Sequence, residues 1–121
     1  MSMIGQKREN TKEYIMKLAL ILYSNDSETV WNALRLGIFS LDQEDSVEIF
    51  LLGKGVEIQQ LNQEKFNISE QATLFLEKGG KILACGTCLK FRETHQENTC
   101  EISTLKDLYT LIKTADKVLT F

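Results

Sequence analysis

Met16-Lys-Leu-Ala-Leu-Ile-Leu-Tyr-Ser-Asn-Asp-Ser-Glu28 runs from a dense apolar stretch straight into four small polar residues. A short run with no polar face reads as a strand covered on both sides. The Ser24-Asn25-Asp26-Ser27 that follows is turn and helix-cap chemistry. The period then changes: Val30, Trp31, Leu34, Ile38 and Leu41 recur every three or four residues, which predicts an amphipathic helix over 28–41 despite Gly37. Ser46-Val-Glu-Ile-Phe-Leu-Leu52 is a second strand, stopped by Gly53-Lys-Gly55. Strand, helix, strand is a parallel unit, and its crossover is expected to be right-handed.

Working outward, residues 56–62 read as one short helix or turn. A capped helix over 67–78 is firmer, with Ser69 as its cap, Ala72, Phe75 and Leu76 facing inward, and Gly79-Gly80 as its stop. Lys81 to Cys85 is a third strand and 87 to about 93 a helix. Glu101-Ile102 is read as a very short strand. A helix over 103–113, capped by Ser103 or Thr104, leads into a terminal strand over 116–121. The expected architecture is α/β, a three-layer α/β/α sandwich on a mostly parallel five-stranded sheet. Residues 1–13 read as a flexible tail and 14–121 as a single domain.

Composition narrows the function classes. A chain of 121 residues holds one hydrophobic core and needs no disulfide or metal to fold. Its formal charge of -3 leaves no concentrated basic stripe for a nucleic-acid groove. The longest apolar run, Leu18 to Tyr23, is far below the ~20 residues that cross a bilayer. Three cysteines without a secretory apolar segment point to a reducing, cytoplasmic setting, where a Cys-x-x-Cys is catalytic or metal-binding more often than structural.

Cys85-Gly-Thr-Cys88 closes the third strand, at the sheet edge where α/β proteins gather reacting groups. A thiol at a strand-to-helix corner can be reached, and the helix field favours its ionised, nucleophilic form. Cys85 and Cys88 are therefore the candidate reacting groups. Gly86 allows a tight corner, Thr87 is a candidate cap or thiolate donor, and Lys90 and Arg92 supply positive charge. Asn25 and Asp26, on the loop after the first strand, are candidate lining groups as well as turn and cap residues. The plainer account of Cys85 is a small hydrophobe that finishes a core strand.

Three chemistries fit the pair. Thioredoxin-like dithiol exchange matches the spacing, but the chain has 0 Pro and so lacks the cis-proline loop that such enzymes press against their dithiol. Zinc would accept Cys85, Cys88, His95 and Cys100, although the first of these ends a core strand. Sulfur transfer needs a thiolate that takes up a sulfur atom as a persulfide and passes it on. A flavodoxin-like phosphate cradle is ruled out by the two acids in Ser24-Asn25-Asp26-Ser27-Glu28.

Lys81-Ile-Leu-Ala-Cys-Gly-Thr-Cys-Leu-Lys-Phe-Arg92, together with Leu20-Ile-Leu-Tyr-Ser-Asn25, Val47-Glu-Ile-Phe-Leu-Leu-Gly53 and Ala115-Asp-Lys-Val-Leu-Thr-Phe121, resembles the DsrE/DsrF-like family. The similarity runs from about Tyr14 to Phe121. It implies the α/β/α sandwich already read from the pattern, and assembly as trimers or hexamers. It also implies a place in a sulfur relay, with protein donors and acceptors of sulfur and no cofactor. In relay members the sulfur-carrying cysteine ends the strand after the third helix, which Cys85 matches here. Cys88 has no counterpart in several of them, so a second thiol that discharges the persulfide is an open alternative to simple carrying. The competing class is a non-enzymatic oligomeric module, with or without zinc.

Overall fold

The computed structural model describes residues 15–61, 65–92 and 101–121. The predicted 1–13 tail lies outside them, as do His95 and Cys100.

Five strands form one sheet in the order β4-β3-β2-β1-β5, every neighbouring pair parallel. β1 (Lys17–Leu22), β2 (Ser46–Leu51) and β3 (Lys81–Cys85) occupy the centre, and their burial explains their near-continuous apolar composition. Leu20, Ile49 and Ile82 lie side by side in register, all at 1% exposure or less. Burying a side chain of this size contributes roughly 1.5–3 kcal/mol, which makes this row the backbone of the core. The edges differ: β4 (Glu101–Ser103) has three residues, and β5 (Lys117–Thr120) is exposed along its length.

Helix placement follows from strand order. Right-handed crossovers that step from β1 to β4 set α1 (Ser27–Asp42), α2 (Ile68–Glu77) and α3 (Gly86–Phe91) on one face. The return from β4 to β5 sets α4 (Leu105–Thr114) on the other. The three-layer sandwich expected from the pattern is the observed fold, its sheet wholly parallel. No helix among the described residues is long and apolar enough to cross a membrane.

Two details differ from the sequence reading. Asn67, not Ser69, caps α2: its Oδ1 accepts the Glu70 amide at 3.1 Å, because the helix begins two residues earlier than a Ser69 cap would allow. The predicted turn over 56–62 starts sooner, as a 3-10 helix over Gly53–Gln60 that kinks at Glu57. Gly53 has φ +58, and a Cβ there would lie 2.6 Å from the Tyr23 ring. A Cβ on Gly55 would lie 2.0 Å from the Leu22 carbonyl oxygen. The two glycines that read as a strand stop thus bring this turn down onto the end of β1.

α4 is amphipathic in an unusual way. Leu108 and Leu111 face the sheet, whereas Leu105, Tyr109 and Ile112 form an exposed apolar stripe at 65%, 62% and 44% exposure. On α1, Trp31 packs against Phe66 at 5.3 Å between ring centroids, and Phe39 is left exposed.

Candidate functional site: a thiol pair at the sheet edge

Cys85 is the last residue of β3 and the N-cap of α3, and Cys88 lies in the first turn of that helix. A strand that ends as a helix begins lets the chain reverse within the Cys-Gly-Thr-Cys stretch and sets Cys85 near enough to act on the ionisation of Cys88. Both are free thiols. Gly86 opens α3 so close to β4 that an added Cβ would touch Ile102 and the Ser103 carbonyl oxygen at 3.2 and 3.3 Å.

Accessibility is the reverse of the sequence expectation for Cys85. Its residue is 4% exposed, part of the core cluster, and the half-buried Cys88 is the thiol nearer the surface. The reason is local: the residue that ends β3 is covered by the very helix it caps. The expected drop in thiol pKa is not found at Cys88 either. Burial is the strongest influence and pushes its thiol up, and the neighbouring Cys85 thiol adds to the rise. The Gly53 amide, which reaches the Cys88 sulfur at 3.2 Å, and the Arg92 charge work in the opposite direction without overcoming it.

The other sequence candidates divide into two groups. Asn25 and Arg92 are brought to the site through a residue the sequence reading passed over, Glu57. Its carboxylate accepts Arg92 Nε at 2.6 Å and Asn25 Nδ2 at 3.0 Å, and these two bonds hold it below the usual glutamate range. Arg92 Nη1 donates in turn to the Cys88 carbonyl oxygen at 3.1 Å. Asp26 instead caps α1, where the Thr29 amide at 3.0 Å and hydroxyl at 2.9 Å lower its carboxyl pKa. Thr87 is exposed and does not cap α3, since Cys85 holds that position. Lys90 is exposed in the last turn of α3.

Gly53 and Glu57 carried weak signals. Gly53-Lys-Gly55 marked only a stop, and Glu57 sat in a stretch whose amides diluted any period. A backbone donor leaves no trace in residue type.

Among the described residues no cluster of three or more His, Cys, Asp or Glu is arranged for a metal. The four-ligand zinc set considered from the sequence includes His95 and Cys100, which lie outside those residues. A hollow of about 610 Å³ along the outer side of α2 and another of about 300 Å³ beside α4 both lie away from the cysteines.

Comparison with known proteins agrees with this architecture. The chain is 31% identical over 100 residues to the uncharacterized protein MJ0989 of Methanocaldococcus jannaschii, covering 78% of this chain and 88% of that one. It is 30% identical to the uncharacterized protein MK0008 of Methanopyrus kandleri, covering 78% and 83%. Its fold matches the crystal structure of the ychN protein from E. coli with a TM-score of 0.77 and 28% identity, over 88% of this chain and all of the other. A conserved protein of unknown function from Bacteroides thetaiotaomicron, BT1422, shares the fold at a TM-score of 0.71 and 19% identity, over 87% of this chain and 94% of that one. The family model described as DsrE/DsrF-like matches residues 10–121, nearly the whole chain, and the chain belongs to the DsrE/DsrF-like family.

Proposed function

We propose that this protein handles sulfur as a cysteine persulfide, with Cys85 as the carrier and Cys88 as the thiol that discharges it. The observation that supports this most directly is the adjacency of two free thiols, Cys85 at the end of β3 and Cys88 in the first turn of α3. In the loading step the Cys85 thiolate attacks the outer sulfur of a donor persulfide, R–S–SH. The bond between the donor's two sulfurs breaks, R–S⁻ leaves, and Cys85–S–SH forms with no net redox change.

Two fates of that persulfide differ in their electron balance. An acceptor thiolate that attacks the outer sulfur takes it onward, and Cys85 leaves as thiolate. If Cys88, once deprotonated, attacks the inner sulfur, HS⁻ leaves and a Cys85–Cys88 disulfide forms. The two thiols are then oxidised by two electrons, which reduce the outgoing sulfur to sulfide, and an external dithiol must reduce the pair for a further turn. The spacing of Cys85 and Cys88 across the first turn of α3 favours the second route once a persulfide is present.

The burial of Cys85 limits what reaches it. The sulfane sulfur of a loaded Cys85 stands about 2.05 Å from the thiol sulfur, in a corner that leaves Cys85 itself covered. Loading is therefore expected to be faster with a small persulfide or polysulfide than with a bulky one. Cys88→Ser protein, loaded with a persulfide donor, is expected to keep its added sulfur severalfold longer than wild type and to release little free sulfide. Intact-mass analysis and a sulfide assay over time follow this. Equal sulfide release from both proteins would remove the discharging role of Cys88.

Assembly follows the same reading. Leu105, Tyr109 and Ile112, with Ile102 at 65% exposure, are too apolar a set to leave in water, and they fit a contact between copies of the chain in a homotrimer or homohexamer. Light scattering on the eluting protein is expected to give a mass that is a multiple of three protomers. Tyr109→Lys is expected to reduce it. A monomeric wild type would contradict the assembly. The setting proposed is cytoplasmic, with proteins that donate and accept sulfur and with no cofactor.

A further inference from the structure

Three segments distant in sequence meet beside Cys88. Asn25 follows β1, Glu57 stands at the kink of the Gly53–Gln60 turn, and Arg92 ends α3. Their hydrogen bonds run in one chain: Asn25 Nδ2 to Glu57 Oε1 at 3.0 Å, Arg92 Nε to Glu57 Oε2 at 2.6 Å, and Arg92 Nη1 to the Cys88 carbonyl oxygen at 3.1 Å. The same turn that carries Glu57 begins with Gly53, whose amide reaches the Cys88 sulfur at 3.2 Å. Cys88 is thus held at two points: by its carbonyl through Arg92, which ends the same helix and is bonded to Glu57 of the turn, and by its sulfur through Gly53 of that turn. The ion pair is sheltered, with about a quarter of each side chain exposed (26% and 25%), so its geometry is held rather than averaged over solvent.

We propose that Glu57 and Arg92 are positioning residues of the thiol site, clamping the Gly53–Gln60 turn onto α3 so that the Cys88 sulfur stays seated beneath that turn and next to Cys85. This rests on the reading of the cysteine pair as the working centre. The planar guanidinium matters because it makes two directed bonds at once, to a carboxylate on one side and a backbone carbonyl on the other. A lysine supplies the charge without the fork. Among the described residues, the ionisable groups around Cys88 include Cys85 at the end of β3, Arg92 on α3, and, on the turn, Glu57 with Lys54 near it.

Loosening the clamp lifts the turn and exposes the sulfur. Burial is the strongest influence on Cys88, so its relief outweighs the lost Gly53 amide: the thiol becomes both easier to reach and easier to ionise.

The test uses the full chain with Cys85→Ser and Cys100→Ser, which leaves Cys88 as its only thiol out of three. The rate of alkylation by iodoacetamide is measured across pH. Arg92→Lys is expected to react about tenfold faster at neutral pH with its inflection moved down, tenfold being what one unit of pKa gives below the inflection. Asn25→Ala, which changes no charge and lies outside the cysteine helix, is expected to move both quantities the same way by less. If Arg92 acts as a bare charge, Arg92→Lys keeps the wild-type rate and inflection, and the proposal is overturned. It is equally overturned if Arg92→Lys unfolds and Asn25→Ala alkylates as wild type, or if thermal stability falls while the pH profile stays put. Alkylation needs no persulfide, so accelerated labelling of the Arg92→Lys protein in this background, alongside a wild type with all its cysteines intact that fails to load sulfur, would sink the sulfur-carrying reading and leave the clamp standing.

Discussion

Cys85→Ser protein incubated with a persulfide donor is expected to gain no reductant-labile mass, while wild type gains about one sulfur atom per chain. The expectation follows from the division of labour within the pair. Cys88 holds its proton, because burial and the neighbouring Cys85 thiol push its thiol up. A thiol that stays protonated is a poor nucleophile, since the thiolate is the species that attacks sulfur. Serine has no comparable nucleophilicity and cannot carry a sulfane sulfur. The variant should still fold: exchanging a buried thiol for a hydroxyl costs about 1–3 kcal/mol if the hydroxyl finds no partner. Cys85→Ala, which adds no polar group to the core, provides the control for that cost. Intact-mass spectra before and after reductant decide the matter. An adduct of undiminished yield in Cys85→Ser would move the carrier role to another cysteine.

Gly55→Ala should be the most damaging single methyl group in the neighbourhood of the site. The added Cβ would stand 2.0 Å from the Leu22 carbonyl oxygen and 2.8 Å from its carbonyl carbon. Those are backbone atoms of the central strand, so no side-chain rotation relieves the contact. The Leu22 oxygen also accepts the Leu52 amide at 2.9 Å, so shifting it disturbs the bond that joins the ends of β1 and β2. The way out is for the Gly53–Gln60 turn to rise, which draws the Gly53 amide off Cys88. A loss of about 3 kcal/mol in unfolding free energy is expected, at the upper end of what overpacking normally costs. Denaturant titration of the two proteins measures it, and a loss below a few tenths of a kcal/mol would show that the turn yields freely.

The two outcomes are linked through one piece of backbone. The turn that Gly55 allows to sit close carries Gly53 at one end and Glu57 at its kink, and both act on Cys88. Gly55→Ala is therefore expected to disturb the thiol pair without touching either sulfur.

The central strands and α1 were legible in residue order because their signals are local and strong. A strand buried on both faces must be apolar throughout, and a helix lying on a sheet must repeat its apolar residues every three to four positions. Leu18 to Leu22 and Val30 to Leu41 obey these rules without reference to the rest of the chain. Cys85 and Cys88 could be singled out on the same basis, as thiols placed where a strand gives way to a helix. The α2 cap was read two residues late because Asn67 and Ser69 are both acceptable cap residues, and only the helix start separates them.

Residue order alone determined the parallel α/β sandwich and the position of the thiol pair at its edge, since periodicity and punctuation are properties of neighbours along the chain. Tertiary structure decided which thiol is covered, that the Cys88 thiol is pushed up, and that Asn25, Glu57 and Arg92 act together. These depend on burial and on a backbone amide from a segment 35 residues away, and neither solvent exclusion nor a main-chain hydrogen bond is encoded in the identity of the residue that feels it.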